Sequence, residues 1–194
     1  MRRGAWLPPV LWMALILAFA SDTGSAEHTG RFLVPVLRTL FPWASPAQVD
    51  ALHGLVRKLA HFTEYAVLAA LWLRAFTRDA TLPRGRAAWI AWALATAWAV
   101  VDETVQSASV TRTGSALDVG IDTLGALAVA VPAAYGWRVT VDRLTRILLW
   151  IAAAGGGALL SIDLAAGVPP GALWATVPAA VVALLVARRW RRRA

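Results

Sequence analysis

The sequence predicts an all-α protein of the membrane class, a polytopic helical bundle of about six transmembrane helices with both termini cytoplasmic. Three observations carry this expectation. Of the 194 residues, 59% are apolar and 15% are charged, against about 45–50% and about 25% in a soluble domain. Apolar stretches approaching the roughly 20 residues that cross a bilayer recur along the chain. Basic residues gather between alternate stretches, as they do in cytoplasmic loops. The composition excludes disorder, a coiled coil and a collagen-like fibre. The absence of cysteine excludes a disulfide framework, thiolate-bound zinc and a thiolate nucleophile. Strict apolar–polar alternation, the signature of a membrane β-barrel, is missing.

The first expected span, residues 6–20, follows Arg2 and Arg3. Its Ala18-Phe19-Ala20 end resembles a signal-peptide cleavage site, but a retained helix is the preferred reading. Residues 21–54 form the one long connection. Its start is polar, 31–40 makes a short amphipathic helix with Phe32, Val36, Leu37 and Leu40 on one side, and Phe41-Pro42-Trp43 reads as an interfacial anchor. Ser45 as N-cap and Pro46 at the first helical position start another short helix. The remaining spans are expected over 55–76, 87–101, 117–137, 147–162 and 172–187. Residues 138–146 fall between the fourth and fifth as a cytoplasmic loop, with Asp142 among Arg138, Arg143 and Arg146. A Gly155-Gly156-Gly157 run in the fifth suggests close helix packing, since no P-loop lysine follows it. Asp163 lies near an outer helix end and meets water.

With the amino terminus inside, the inner segments hold fourteen of the nineteen lysines and arginines and the outer segments hold Arg31, Arg38, Arg57, Lys58 and Arg112. This asymmetry sets the orientation. It also explains the net charge of +8 and the pI near 11.5 without nucleic acid. The basic run at 188–193 fits orientation better than lipid recognition.

Three polar clusters interrupt the apolar helices. Arg57, His61, Glu64 and Tyr65 share one face by helical spacing. Asp102, Glu103 and Gln106 end the third span, with Arg112 in the loop beyond. Asp118, Asp122 and Gly125, spaced i, i+4, i+7, share a face of the fourth. All three clusters fall at the extracytoplasmic end. A charged side chain at mid-bilayer costs at least about 2.5–3.5 kcal/mol, so three clusters at one depth point to a single outward-facing site. The competing structural reading is a packing lock, in which Arg57, Lys58 or Arg112 neutralises the acids.

His61 is the one group here whose unperturbed pKa lies near neutrality, and it suits a general acid or base, with Glu64, Asp102, Glu103 and Asp118 as catalytic carboxylates. Arg57, Lys58, Tyr65, Gln106, Arg112 and Asp122 are the candidate substrate-binding residues, the guanidinium groups gripping phosphate or carboxylate. The expected ligand is an anionic lipid or a lipid-linked cell-wall precursor, and whether chemistry follows binding stays open. No cofactor or metal is expected. A divalent-cation reading competes, because His61-x-x-Glu64 with Asp102, Glu103, Asp118 and Asp122 could build an oxygen-rich shell, although HExxH is absent. A proton-coupled transporter is the other class. Against it, the cluster lies at one end and no repeat halves are visible. A nucleophile from Ser107, Ser109, Thr111 or Thr113 lacks any GxSxG context. Oligomeric state is not legible.

The pattern Arg57-Lys58-x-x-His61-Phe62-x-Glu64-Tyr65 resembles the first motif of the VanZ-like family of membrane proteins. Asp102-Glu103-x-x-Gln106, Arg112, Asp118, Asp122 and Gly125 resemble the second. The resemblance covers 55–135 strongly and implies a VanZ-like domain over 1–135, with 136–194 adding two helices and a basic tail. Where the family often has asparagine this chain has Asp122. The resemblance implies a multi-pass protein of the bacterial plasma membrane in a cell-envelope context, the family's namesake being associated with low-level resistance to the glycopeptide teicoplanin. It implies no settled reaction.

Overall fold

Local sequence signals set the helix ends. The computed structural model describes residues 3–20, 26–108, 115–169 and 171–191. Among these the chain is all helix: a 3-10 turn at Arg3–Ala5, then α1 (Leu7–Ala20), α2 (Ala26–Leu40), α3 (Pro46–Arg78), α4 (Arg84–Ser107), α5 (Ala116–Tyr135), α6 (Trp137–Ala166) and α7 (Leu173–Arg191). No strand occurs among the described residues.

Ser45 does cap a helix, in a reciprocal capping box with Gln48 and with Pro46 in the first turn. The helix is not a separate short one. It continues for 33 residues through the second expected span, because only Gly54 interrupts the pattern and one glycine costs about 1 kcal/mol, too little to break a helix. A second correction concerns residues 138–146. Arg138, Asp142, Arg143 and Arg146 stand in the first turns of α6 rather than in a loop. The break falls at Gly136, whose φ of 88° suits glycine, and Arg146 Nε donates to the Asp142 carbonyl at 3.0 Å as part of a regular helix.

The chain divides into two compact units, residues 1–135 and 136–194. In the first, α3 is central. It packs on α5, α4, α2 and α1. The core consists of Ile16, Tyr65, Leu68, Ala69, Ala95, Ala99 and Ala126, edged by Trp12, Trp72, Trp92 and Trp98. Trp12 pins α1 to α3 by donating from Nε1 to the Glu64 carbonyl at 2.9 Å. At the end of the unit away from the polar clusters, Trp6 packs edge-on against Trp72 and Phe76, and the Ala5 amide donates to Asp79 at 3.2 Å. The crossing of α3 and α5 is backbone on backbone: a Cβ added at Gly125 would overlap the Phe62 carbonyl. In the second unit α6 packs on α7, and of the glycine run only Gly156 approaches it, next to Val177.

Among the described residues two helices, α5 and α6, are long and apolar enough to cross a membrane; α1 and the apolar part of α7, Leu173–Val186, are shorter. Along α6 the large apolar side chains lie uncovered, Leu148, Ile151 and Ile162 each more than 60% exposed.

Candidate functional site

The buried face of α4 explains how acids come to lie inside. Ala88, Ala91, Ala95 and Ala99 recur at helical spacing and are buried, and the same stripe continues into Asp102, Glu103 and Gln106. Small residues let α4 approach its neighbours, so the carboxylates that follow are carried into the interior. The buried face of α5 does likewise through Asp122, Gly125, Ala126 and Ala130. Along α3, His53, Arg57, His61, Tyr65 and Leu68 form the facing stripe.

Here the three stripes meet. His61 Nδ1 lies 3.6 Å from Asp122 Oδ1, with the imidazole about one-fifth exposed and Asp122 fully buried. The Tyr65 hydroxyl donates to Asp102 Oδ2 at 3.0 Å, a buried contact. His61, Asp102 and Asp122 each offer a donor atom within 4.8 Å of the others. Beside them opens a cavity of about 120 Å³ whose polar wall is Thr29, Arg57, His61, Glu64, Asp102 and Gln106 and whose apolar wall is Ile16, Phe19, Ala20 and Ala60.

Charge in this region is lopsided. Asp102 Oδ1 and both oxygens of Asp122 have no hydrogen-bond partner among the described residues. No lysine or arginine among the described residues ion-pairs with Asp102 or Asp122. Arg57 instead donates to the Thr29 hydroxyl at 3.0 Å, and that oxygen also contacts His53 Nε2 at 3.2 Å. Thr29 thus ties α2 to α3 and holds the guanidinium at the cavity wall.

The expected site residues divide into those on the cavity and those away from it. Arg57, His61, Glu64, Asp102 and Gln106 line the cavity. Asp122 backs His61 from a fully buried position, and Tyr65, also fully buried, reaches the cavity only through Asp102. Neither Asp122 nor Tyr65 lines the cavity. Glu103 accepts from the Ser115 amide and so anchors the start of α5, where the Ser115 hydroxyl in turn accepts from the Leu117 amide at 3.2 Å. Asp118 is half-buried in the first turn of α5 and does not line the cavity. Lys58 is exposed and also stands off it. Arg112, with Ser109, Thr111 and Thr113, lies outside the described residues.

Sequence reasoning missed Thr29, His53 and the α1 wall. His53 stands four residues before Arg57 and eight before His61, so helical spacing puts it on the same stripe. Trp12, Ile16, Phe19 and Ala20 carry a similar signal on α1, hidden there by uniform apolarity.

A family model described as VanZ/LLP1 matches residues 5–135. No curated protein and no solved structure matches the chain.

Proposed function

The chain belongs to the VanZ/LLP1 family, and from that premise we propose that it is a multi-pass protein of the bacterial cell membrane whose outward-facing site takes the anionic headgroup of an envelope amphiphile. Membrane lipid, or a lipid-linked cell-wall precursor, is the partner of this reading, and teicoplanin resistance is its physiological setting. The arginine asymmetry and the uncovered apolar side chains of α6 support about six spans with both termini inside in this reading. Residues Arg74, Arg78, Arg84 and Arg86 then mark the cytoplasmic end of the first unit, and the cavity lies at the other end.

One observation carries the proposal: a guanidinium, an imidazole and carboxylates share a cavity with an apolar wall. At about 120 Å³ it is well below the roughly 300–1,000 Å³ of a site that encloses a drug-sized ligand. It suits a headgroup fragment, with the rest of the amphiphile lying against Ile16, Phe19 and the lipid. Arg57 grips the phosphate or carboxylate with its planar fork. His61 lines the same cavity as general acid or base, backed by Asp122.

The test is a set of single substitutions, His61→Ala, Arg57→Ala and Asp102→Asn, read by teicoplanin sensitivity beside the amount of protein in the membrane. Loss of resistance at normal abundance supports the site. Wild-type resistance in all three overturns it.

A further inference from the structure

We propose that His61, Asp102 and Asp122 bind a divalent transition-metal cation, with Zn²⁺ or Mn²⁺ as its best-fitting occupants. The three donor atoms already lie within 4.8 Å of one another. Ligands about 2.0–2.2 Å from a shared ion stand roughly 3–4 Å apart, so side-chain adjustments of less than about an ångström close the site. Asp122 is fully buried, and among the described residues neither of its oxygens receives a hydrogen bond and Asp102 Oδ1 is equally bare. Two buried carboxylates side by side with one donor between them, the Tyr65 hydroxyl, are a poor arrangement for protein alone, because burial removes water and proximity adds repulsion. A cation between them answers both costs.

The surroundings fit as well. The Tyr65 hydroxyl occupies the other oxygen of Asp102, as hydrogen-bonded outer partners orient metal-binding carboxylates. The contact of Gly125 with the Phe62 backbone fixes α3 against α5, and with it the spacing of His61 and Asp122. The donor set chooses among metals: an imidazole nitrogen disfavours Ca²⁺ and Mg²⁺, and two carboxylates without sulfur disfavour Cu⁺. Coordination through Nδ1, the ring nitrogen beside Asp122, leaves the other nitrogen of His61 as a donor. The site goes beyond the headgroup reading and stands without it, although a cation here would also lessen the repulsion between this acid-rich wall and an anionic ligand.

The experiment uses the full chain in detergent, without a histidine tag, stripped with chelator and titrated with Zn²⁺, Mn²⁺, Mg²⁺ or Ca²⁺ alone. One equivalent of Zn²⁺ or Mn²⁺ per chain is expected, with Mg²⁺ and Ca²⁺ bound at least about 100-fold more weakly. Asp122→Asn and His61→Gln should each weaken Zn²⁺ by about 100-fold or more, since even outer partners of a metal ligand are worth 10–100-fold. If these variants fail to fold, pulsed electron paramagnetic resonance of Mn²⁺ in the unaltered chain reads the same site, where one imidazole nitrogen should couple to the ion. Stoichiometric metal that is lost in the variants, or the single nitrogen coupling, supports the site. Absence of stoichiometric metal, binding left within twofold by both substitutions, or Mn²⁺ without nitrogen coupling overturns it. Arg57→Ala should leave Zn²⁺ affinity within twofold while weakening the headgroup, so failure of one reading is separable from failure of the other.

Discussion

Asp122→Asn separates a binding site from a packing lock by the sign of one stability change. Asp122 is fully buried, and neither carboxylate oxygen accepts a hydrogen bond from the described residues. The His61 imidazole places Nδ1 3.6 Å from Asp122 Oδ1, beyond hydrogen-bond range. A buried polar group without a partner costs about 1–3 kcal/mol, and more when charged. Asparagine keeps the volume, removes the charge and adds a donor beside Asp102, a carboxylate oxygen of which lies within 4.8 Å. In chelator the variant should therefore be more stable than the natural chain by about 1–3 kcal/mol. At about 2–4 °C per kcal/mol for a chain of this size, the midpoint should rise by roughly 2–12 °C, read by thermal unfolding in detergent. Saturating Zn²⁺ should narrow or reverse the gap. A ligand at 100 times its Kd stabilises the state that binds it by about 2.7 kcal/mol, and the variant, with its weaker Zn²⁺ affinity, gains much less. A lock behaves oppositely. If an imidazolium–carboxylate pair held α3 to α5, removing one partner would cost about 3–5 kcal/mol with or without metal. A variant that melts lower in chelator refutes the reasoning.

Three further substitutions probe the same end of the bundle. Gly125→Ala places a Cβ 2.9 Å from the Phe62 carbonyl carbon. Both groups are helix backbone, so α3 and α5 must part by about an ångström to reach normal contact. The overpacking cost of about 1–3 kcal/mol exceeds the roughly 1 kcal/mol that alanine gains in a helix over most of its range; the melting point should fall, and an unchanged melting point would show that the crossing is looser than described. Tyr65→Phe removes the 3.0 Å hydrogen bond to Asp102 and should cost about 1.5–3 kcal/mol; a loss under 0.5 kcal/mol by thermal unfolding would mean that Asp102 finds another donor. Lys58→Ala, at an exposed position off the cavity, should change stability by no more than about 0.5 kcal/mol and leave teicoplanin sensitivity alone, whereas Arg57→Lys loses the planar fork and should weaken binding to anionic-lipid nanodiscs. Equal effects of the two would remove the reason for preferring Arg57.

What was legible in the sequence, and what was not, follows from how much each signal depends on one helix. The all-α class, the Ser45–Pro46 start and the shared face of Asp118, Asp122 and Gly125 are properties of single helices, and periodicity or capping chemistry reads them directly. Helix ends in apolar sequence are weaker signals, because hydropathy falls where arginines begin whether or not the backbone keeps its turns. That is why residues 138–146 read as a loop and yet are helical. Partner choice between helices is weaker still. Asp118 and Asp122 carry the same spacing signal, but only Asp122 sits at the level of the Gly125–Phe62 crossing, and so only it meets His61. Glu103 adjoins Asp102 in sequence, but the helical rotation of about 100° per residue turns it to the Ser115 amide instead of the cavity. The same rotation separates Lys58 from Arg57. The close crossing at Gly125 is therefore what divides these neighbouring charges between the site and its surroundings, and a chain with the same motif but a bulkier residue at 125 should keep the helices while losing the juxtaposition of His61 and Asp122.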